Sequence, residues 1–530
     1  MEKLESLRAS LTAGTIDRRE FLRRSTAAGI GVAAMAMLTR EAAAATPKKG
    51  GTLRMGLAGG NTNDSLDPGT LADTFAMNIS QQTRNKLTEI APDGELVGEL
   101  AESFEGSNGA KVWTFELRKG IEFHNGKTLD AEDVIYSINH HRGPDTSSAA
   151  TGMTDPIADL KADGKHTVVF TLTGGNADFA FGMSDYHFPI VPAGTKGTDW
   201  QKSIGTGAFT LDSFDPGVKT VTKRNPNYWK EGRGHFDEVE SININDVSAR
   251  TNAMKTGQIH VMNRCDMKTV HLLEQDADIT VHNVPGMKHI TMPMHTDKHP
   301  FSNNEVRLAL KHAIDREHLV KTIVRGYGQP GNDHPVASIQ RYHHGDDIAI
   351  RQYDPDRAKY HLKRANVGNK FSLQVSDAAF QGAVDMAVLF KEHAAKCGIE
   401  IELIRAPADG YWSDVWLVEP WCVSFWSGRP TEDWIFSLGY AAGANWNASN
   451  WDNERFNQLL ILGRAELDQQ KRREIYVEMQ RLCRDDGGHI IPMFLNHIFA
   501  VHPSVTTGPQ VAGNFELDGN MNAERWWFSS

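Results

Sequence analysis

The chain has 530 residues, 40% of them hydrophobic, with 47 Gly and 21 Pro; it is too long for a single hydrophobic core and suits two or three domains. Its formal charge of −11 argues against nucleic acid and anionic membrane surfaces as partners. Four cysteines, Cys265, Cys397, Cys422 and Cys483, lie far apart without a Cys-x-x-Cys pair, so a thiolate metal or iron–sulfur site is not expected and any disulfide pairing stays open. Residues 17–23, Asp-Arg-Arg-Glu-Phe-Leu-Arg, read as a twin-arginine export signal, followed by an apolar run at 27–38 that is too short to span a bilayer. The alanines at 42–45 offer a cleavage site, so residues 1–45 are expected to be removed and the product released into the periplasm, with no lipobox cysteine to anchor it. That segment carries seven basic and five acidic residues, and its loss takes the charge to −13. Twin-arginine export carries folded chains, often ones that hold a cofactor, yet no cofactor or metal site is expected from the residues that follow.

Downstream, residues 51–57 read as a first strand and 73–87 carry helical spacing, ending near a short strand at 87–90. A tight turn at 91–94 leads to a small amphipathic segment at 96–104. Residues 111–117, with the alternation Val-Trp-Thr-Phe-Glu-Leu, predict a half-buried strand, and His124-Asn125-Gly126 a hairpin turn. Asp130 is placed to cap a helix running to His140, with Asp133 in its first turn. Strand-like runs recur at 167–172, 207–214 and 239–244. Helical spacing returns at 305–324, 357–365, 382–396 and 454–480, between strands at 371–375 and 400–404. The pattern is mixed α/β with many turns, and no period indicates a repeat array.

The order of the motifs is itself informative. Asn85-Lys-Leu-Thr-Glu, Leu100-Ala-Glu-Ser-Phe, Trp113-Thr-Phe-Glu-Leu-Arg-Lys-Gly, Asp130-Ala-Glu-Asp-Val and Ile204-Gly-Thr-Gly-Ala-Phe come first. Asn225-Pro-Asn-Tyr-Trp, Pro300-Phe-Ser-Asn-Asn-Glu-Val-Arg-Leu-Ala-Leu and Ala313-Ile-Asp-Arg follow. In this order they resemble the extracellular solute-binding proteins of dipeptide, oligopeptide and nickel ABC importers, over nearly all of the chain beyond residue 45. The resemblance implies a two-lobed periplasmic binding protein, a hinged α/β fold of the large, three-subdomain type. Lobe I is expected over 46–291 with an inserted subdomain at about 90–210, lobe II over 292–496, and a return to lobe I at 497–530. Crossings between lobes are expected near 284–294 and 494–501, and the solute would be buried between the lobes by hinge closure. The implied partners are a small-molecule solute and an ABC permease, with the receptor itself a monomer and not an enzyme.

Residues 422–434, Cys-Val-Ser-Phe-Trp-Ser-Gly-Arg-Pro-Thr-Glu-Asp-Trp, suit a strand running into a turn at a cavity wall, with the Arg429 guanidinium between flat apolar faces. Such an arginine recognises an anion through its planar fork, or is a structural residue packed on tryptophans. In peptide-binding members of the resembled family an aspartate at the matching place holds the ligand's α-ammonium, so Arg429 reverses the charge. Glu432 and Asp433 are near enough in sequence to hold Arg429 instead. The loop matching those members' arginine for the ligand's C-terminal carboxylate is here 376–381, Ser-Asp-Ala-Ala-Phe-Gln, without a base. Together these changes point to a carboxylate-bearing peptide-like or opine-like solute. Further expected lining residues are Trp426, Trp446, Asn447, Tyr411, Trp412, Phe75 and Asp73, where aromatic faces would bury apolar surface and Asn would pair with polar groups. A nickel or metallophore-chelate carrier is the alternative, and an oligosaccharide binder is a third option. A secreted metalloenzyme is disfavoured because His295-x-x-x-His299 is bracketed by Pro293 and Pro300 and has no HExxH arrangement, while His140-His141 and His343-His344 read as exposed pairs. A serine hydrolase lacks its Gly-x-Ser-x-Gly.

Overall fold

The structure is a computed structural model that describes residues 47–71, 73–407 and 410–529; the export-signal reading lies outside these residues. Its first strand, Thr52–Leu57, places Leu53, Met55 and Leu57 with no exposed surface and runs parallel to both neighbours, Glu238–Asn243 and Val261–Met262. A strand buried this way is the natural centre of a sheet. That sheet has seven strands, in the order Thr280–Val284, His497–Val501, Val261–Met262, Thr52–Leu57, Glu238–Asn243, Lys219–Arg224, Phe209–Asp215.

A separate antiparallel sheet holds Ala101–Ser107, Val112–Leu117, Thr167–Leu172 and Ile157–Ala162. Its alternation is plain in Thr167–Leu172, where Val168, Phe170 and Leu172 face the core and the residues between them are half-exposed. The helix Ala131–Asn139 packs beside it, held at its start by a reciprocal capping box between Asp130 and Asp133. The His124 turn closes with Gly126 N–H donating to Phe123 O at 2.8 Å.

The other half of the molecule is built on a four-stranded sheet, Gly328–Pro330, His489–Leu495, His289–Pro293 and Ser424–Trp426. A parallel pair, Lys370–Val375 and Glu400–Arg405, is connected by the helix Ala383–Lys396. The chain leaves the first half after Val284 and enters the second at His289, and it returns between Leu495 and His497. Two short connections, 285–288 and Asn496, thus join two lobes with separate hydrophobic cores.

Several local expectations change. The helix begun by Thr74 stops at Thr83, because buried Arg84 turns extended and donates to Leu66 O at 2.6 Å and Trp200 O at 3.0 Å. The Gly205-Thr206-Gly207 motif packs on this break, and a Cβ on either glycine would come within 2.3 Å of Thr83 backbone atoms. Residues 96–104 form parts of two strands rather than one segment. The helical runs at 305–324 and 454–480 each divide in two, since Asp315 and Asp468 cap new helices and end the old ones. Neither histidine pair is an exposed pair, for His141 and His344 are each 1% exposed.

Candidate functional site: a cationic, aromatic inter-lobe cleft

The strand Ser424–Trp426 is pinned to His289–Pro293, pairing Trp426 with His289. Its continuation turns sharply at Gly428, φ +86°, where a Cβ would come within 2.5 Å of Met287 Cβ on the inter-lobe connection. Only glycine passes there without displacing the hinge. Pro430 and Thr431 follow, and Thr431 caps the helix Glu432–Gly439.

This path sets Arg429 between two indoles, its Cζ 5.5 Å from the Trp426 ring centre and 5.8 Å from that of Trp434. Its Nη1 donates to Gly428 O at 2.6 Å and to Ser427 Oγ at 3.3 Å. Among the described residues no carboxylate forms an ion pair with it. The two acids nearest in sequence are committed elsewhere: Glu432 accepts the Tyr342 N–H at 2.8 Å, and Asp433 pairs with Arg464 at 3.0 Å. Burial lowers the Arg429 pKa from its usual value, and the opposing influences come from Tyr186 and Asp185 of the other lobe. Asp185 is itself occupied, accepting from His187 Nδ1 at 2.7 Å.

Beside Arg429 runs a continuous aromatic wall. Trp426 meets Trp446 at 5.8 Å between ring centres, Trp446 meets Trp416 at 6.3 Å, Trp416 meets Trp412 at 5.8 Å, and Trp412 meets Phe425 at 5.5 Å. Trp412 and Trp446 remain 40% and 44% exposed, which is unusual for indoles in a structured wall and leaves their surface open to a ligand. Lys288, on the inter-lobe connection, stands over Phe425 with Nζ 4.6 Å from the ring centre. Burial lowers its pKa, and the nearby Glu516 is taken by Arg264 at 2.6 Å. Lys288 is thus a second cation of this region without a carboxylate ion-pair partner among the described residues.

The lobes are held against each other. Asp178 pairs with Arg472 at 2.8 Å with both side chains buried, the Ala177 N–H donates to Arg464 O at 2.7 Å, and Arg341 meets Glu95 at 3.5 Å. A cavity of about 410 Å³ lies between them, lined by Phe181 of the first lobe, Met287 of the hinge, and Gln340, Arg341, Pro430 and Glu432 of the second.

Of the residues expected to line the site, Arg429, Trp426, Trp446 and Trp412 come together in lobe II, but Trp426 is 5% exposed and packs in a lobe II core, and none of the four is among the residues lining the 410 Å³ cavity. Tyr411 is 1% exposed, with its hydroxyl donating to Val423 O at 2.7 Å. Asn447 is also a structural residue, donating to Ala441 O and Trp451 O and accepting from Ser449 Oγ. Phe75 has no exposed surface and belongs to the lobe I core. Asp73 caps the helix Thr74–Thr83 through the Ala76 N–H at 3.0 Å, and its carboxyl is pushed up to about 6, first by burial and then by neighbouring Asp64. Sequence reasoning missed Lys288, Trp416 and Phe425. Lys288 fell inside the expected crossing at 284–294, and that was the available signal.

Residues 95–453 match the family described as bacterial extracellular solute-binding proteins, family 5. The chain belongs to that family. It is 26% identical over 436 residues to a dipeptide-binding protein of Escherichia coli K12, covering 75% of this chain and 80% of the relative. Among solved structures, the periplasmic binding protein AgaA of A. tumefacien R10, in complex with agropinic acid, matches with a TM-score of 0.72 and 23% identity, over 91% of this chain and 99% of its own. NikZ of Campylobacter jejuni, in complex with Ni(L-His), matches with a TM-score of 0.72 and 18% identity, over 90% and 99% of the two chains. These likenesses establish the two-lobed periplasmic binding protein fold for this family member.

Proposed function

We propose that this family member is the periplasmic receptor of an ABC importer, that it closes on a carboxylate-bearing peptide-like or opine-like solute, and that it presents this solute to the membrane permease. The observation that carries the reading is the Arg429 guanidinium, stacked between Trp426 and Trp434 with no carboxylate pairing it among the described residues. A half-buried cation that no carboxylate ion-pairs is costly, and a solute carboxylate supplies the missing partner through the planar fork. The same charge repels the free α-ammonium of an ordinary peptide. The exposed faces of Trp446 and Trp412 would cover the apolar part of the solute.

No chemistry on the solute is needed: hinge closure buries it, and the Asp178–Arg472 and Arg341–Glu95 contacts hold the lobes shut. The receptor is read as a monomer, exported folded through the twin-arginine route. The agropinic acid complex of a structural neighbour favours an opine-like solute. The Ni(L-His) complex of another keeps a metal chelate as the second reading, in which Arg429 and Lys288 hold the chelator's carboxylates.

Titration calorimetry of solute-free protein with agropinic acid, dialanine and Ni(L-His) tests the choice. The proposal predicts heat with the opine and none with the free dipeptide. Binding of dialanine alone overturns the exclusion of a free α-ammonium on which the reading depends, and binding of Ni(L-His) alone selects the second.

A further inference from the structure

Just beyond the segment of lobe II that lines the cavity, three imidazoles gather. His334, His343 and His344 offer ligand atoms that all lie within 4.8 Å of one another. The ring centres of His343 and His344 are 4.2 Å apart, and those of His334 and His344 are 4.9 Å apart. The loop that carries His343 and His344 is clamped to the helix Gln469–Asp485. The His344 N–H donates to Gln480 Oε1 at 3.1 Å, Gln480 Nε2 donates to Tyr342 O at 2.8 Å, and Arg473 donates to His344 O at 3.2 Å. These contacts hold the loop backbone and do not engage the ring nitrogens.

Those nitrogens are the anomaly. His334 and His344 are each 1% exposed, and neither ring nitrogen of either residue has a hydrogen-bond partner. Buried polar groups are usually paired; His489 also leaves both ring nitrogens unpaired, but here four such nitrogens lie together with ligand atoms within reach of one ion. Half-buried His343 accepts only the Gly345 N–H on Nδ1 at 3.1 Å, a contact that ligation through this ring would replace. A second cluster among the described residues, Asp315, His318 and His393, contrasts with this one. There His318 Nδ1 bonds His393 Nε2 at 2.9 Å, and His393 Nδ1 accepts the Asp315 N–H at 3.3 Å, so the cluster satisfies itself.

We propose that His334, His343 and His344 form a three-imidazole site for one divalent first-row transition-metal ion of the zinc or nickel class. Three neutral imidazoles with a fourth position left for water make a recurrent donor set for such ions. The charges around the site are Arg473, Arg484 and Asp347, and Asp347 is paired with Arg473 at 2.6 Å. The two arginines lower the affinity for a dication without removing a ligand. The three histidines are not among the residues lining the inter-lobe cavity, and the ion is proposed as resident in the receptor rather than as its transported solute. The sequence expectation of no metal arose because His343-His344 read as an exposed pair and His334 lies nine positions away without a familiar spacing.

The test is made on the full processed protein, stripped with a chelator and titrated separately with Zn²⁺ and Ni²⁺, followed by desalting and elemental analysis. The proposal predicts one tightly held equivalent of metal and a raised melting temperature. His343→Ala, at the half-buried position, should weaken binding by more than about tenfold and abolish the thermal shift, while His318→Ala behaves as wild type. X-ray absorption of the loaded protein should show a shell of three imidazole nitrogens. Failure of the wild type to retain metal, or unchanged retention by His343→Ala, overturns the site. If His334→Ala fails to fold, the His343 variant still decides. The cleft reading is kept distinct by measuring Ni(L-His) in the His343→Ala variant, whose histidine site cannot take up the nickel.

Discussion

Replacing Arg429 with alanine separates its role toward the solute from its role in the fold. Among the described residues the guanidinium is in no ion pair, so its removal strands no buried carboxylate, and what the fold loses is stacking on Trp426 and Trp434. Each such contact contributes about 0.5–1 kcal/mol, so the solute-free variant should lose no more than about 2 kcal/mol of stability. Toward a carboxylate the loss is of another kind: a charge-assisted bond in a half-buried site is worth about 1.5–3 kcal/mol. Affinity for an acidic solute should therefore fall by about 2–3 kcal/mol, roughly 30- to 150-fold. Arg429→Lys keeps the charge and loses the planar fork, and should lie between the two. Calorimetry with agropinic acid and with its amide completes a cycle, in which the amide binds wild type and Arg429→Ala alike. Equal loss for acid and amide, or none for the acid, refutes an anion-binding role for Arg429.

Four further outcomes follow from the same geometry. Burial raises the Glu432 carboxyl to about 7, so the folded chain holds this proton more tightly than the unfolded one; the associated stability is full below about pH 4.5 and lost as pH rises through 7. Glu432→Gln keeps an acceptor for the Tyr342 N–H and should gain up to about 3 kcal/mol over wild type at pH 8 and nothing at pH 4, read by urea unfolding. Trp446→Ala should weaken solute binding by about 1–2 kcal/mol at unchanged stability, whereas Asn447→Ala, which breaks bonds to Ala441 O and Trp451 O, should destabilise the fold by about 2 kcal/mol. Asp178→Asn removes the ion pair to Arg472 that joins the lobes, and small-angle scattering of the solute-free protein should show a larger radius of gyration. Changing Arg18 and Arg19 together to Lys should leave the precursor in the cytoplasm, checked by cell fractionation, and normal export would remove the twin-arginine reading.

Local physics was legible where a single residue or period decides the structure. Asp130 and Asp133 announced a capping box, and Thr167–Leu172 alternated as a half-buried strand does. It failed where tertiary contacts override the period: Arg84 ends a helix to satisfy carbonyls on two distant loops, and Asp315 and Asp468 start new helices inside continuous apolar spacing. The two-lobed topology depends on strands 284 and 497 positions along the chain lying side by side in one sheet, which no local pattern encodes; it came from the family resemblance. At the site, residue type could not separate a lining side chain from a structural one. Tyr411 and Asn447 carry the polar groups expected of a pocket and spend them on backbone carbonyls, while Trp412 and Trp446, equally good core material, keep their faces exposed. Lys288 carried no motif at all, and only its place between the lobes gives it meaning.

The cleft account rests on what occupies the space beside that stacked guanidinium when the receptor is loaded. Native mass spectrometry of protein purified from the periplasm, with the released small molecule sequenced by fragmentation, reads this directly. The account predicts a molecule with a free carboxylate and no free α-ammonium group. Recovery of an unmodified dipeptide, with its amine free, would contradict it.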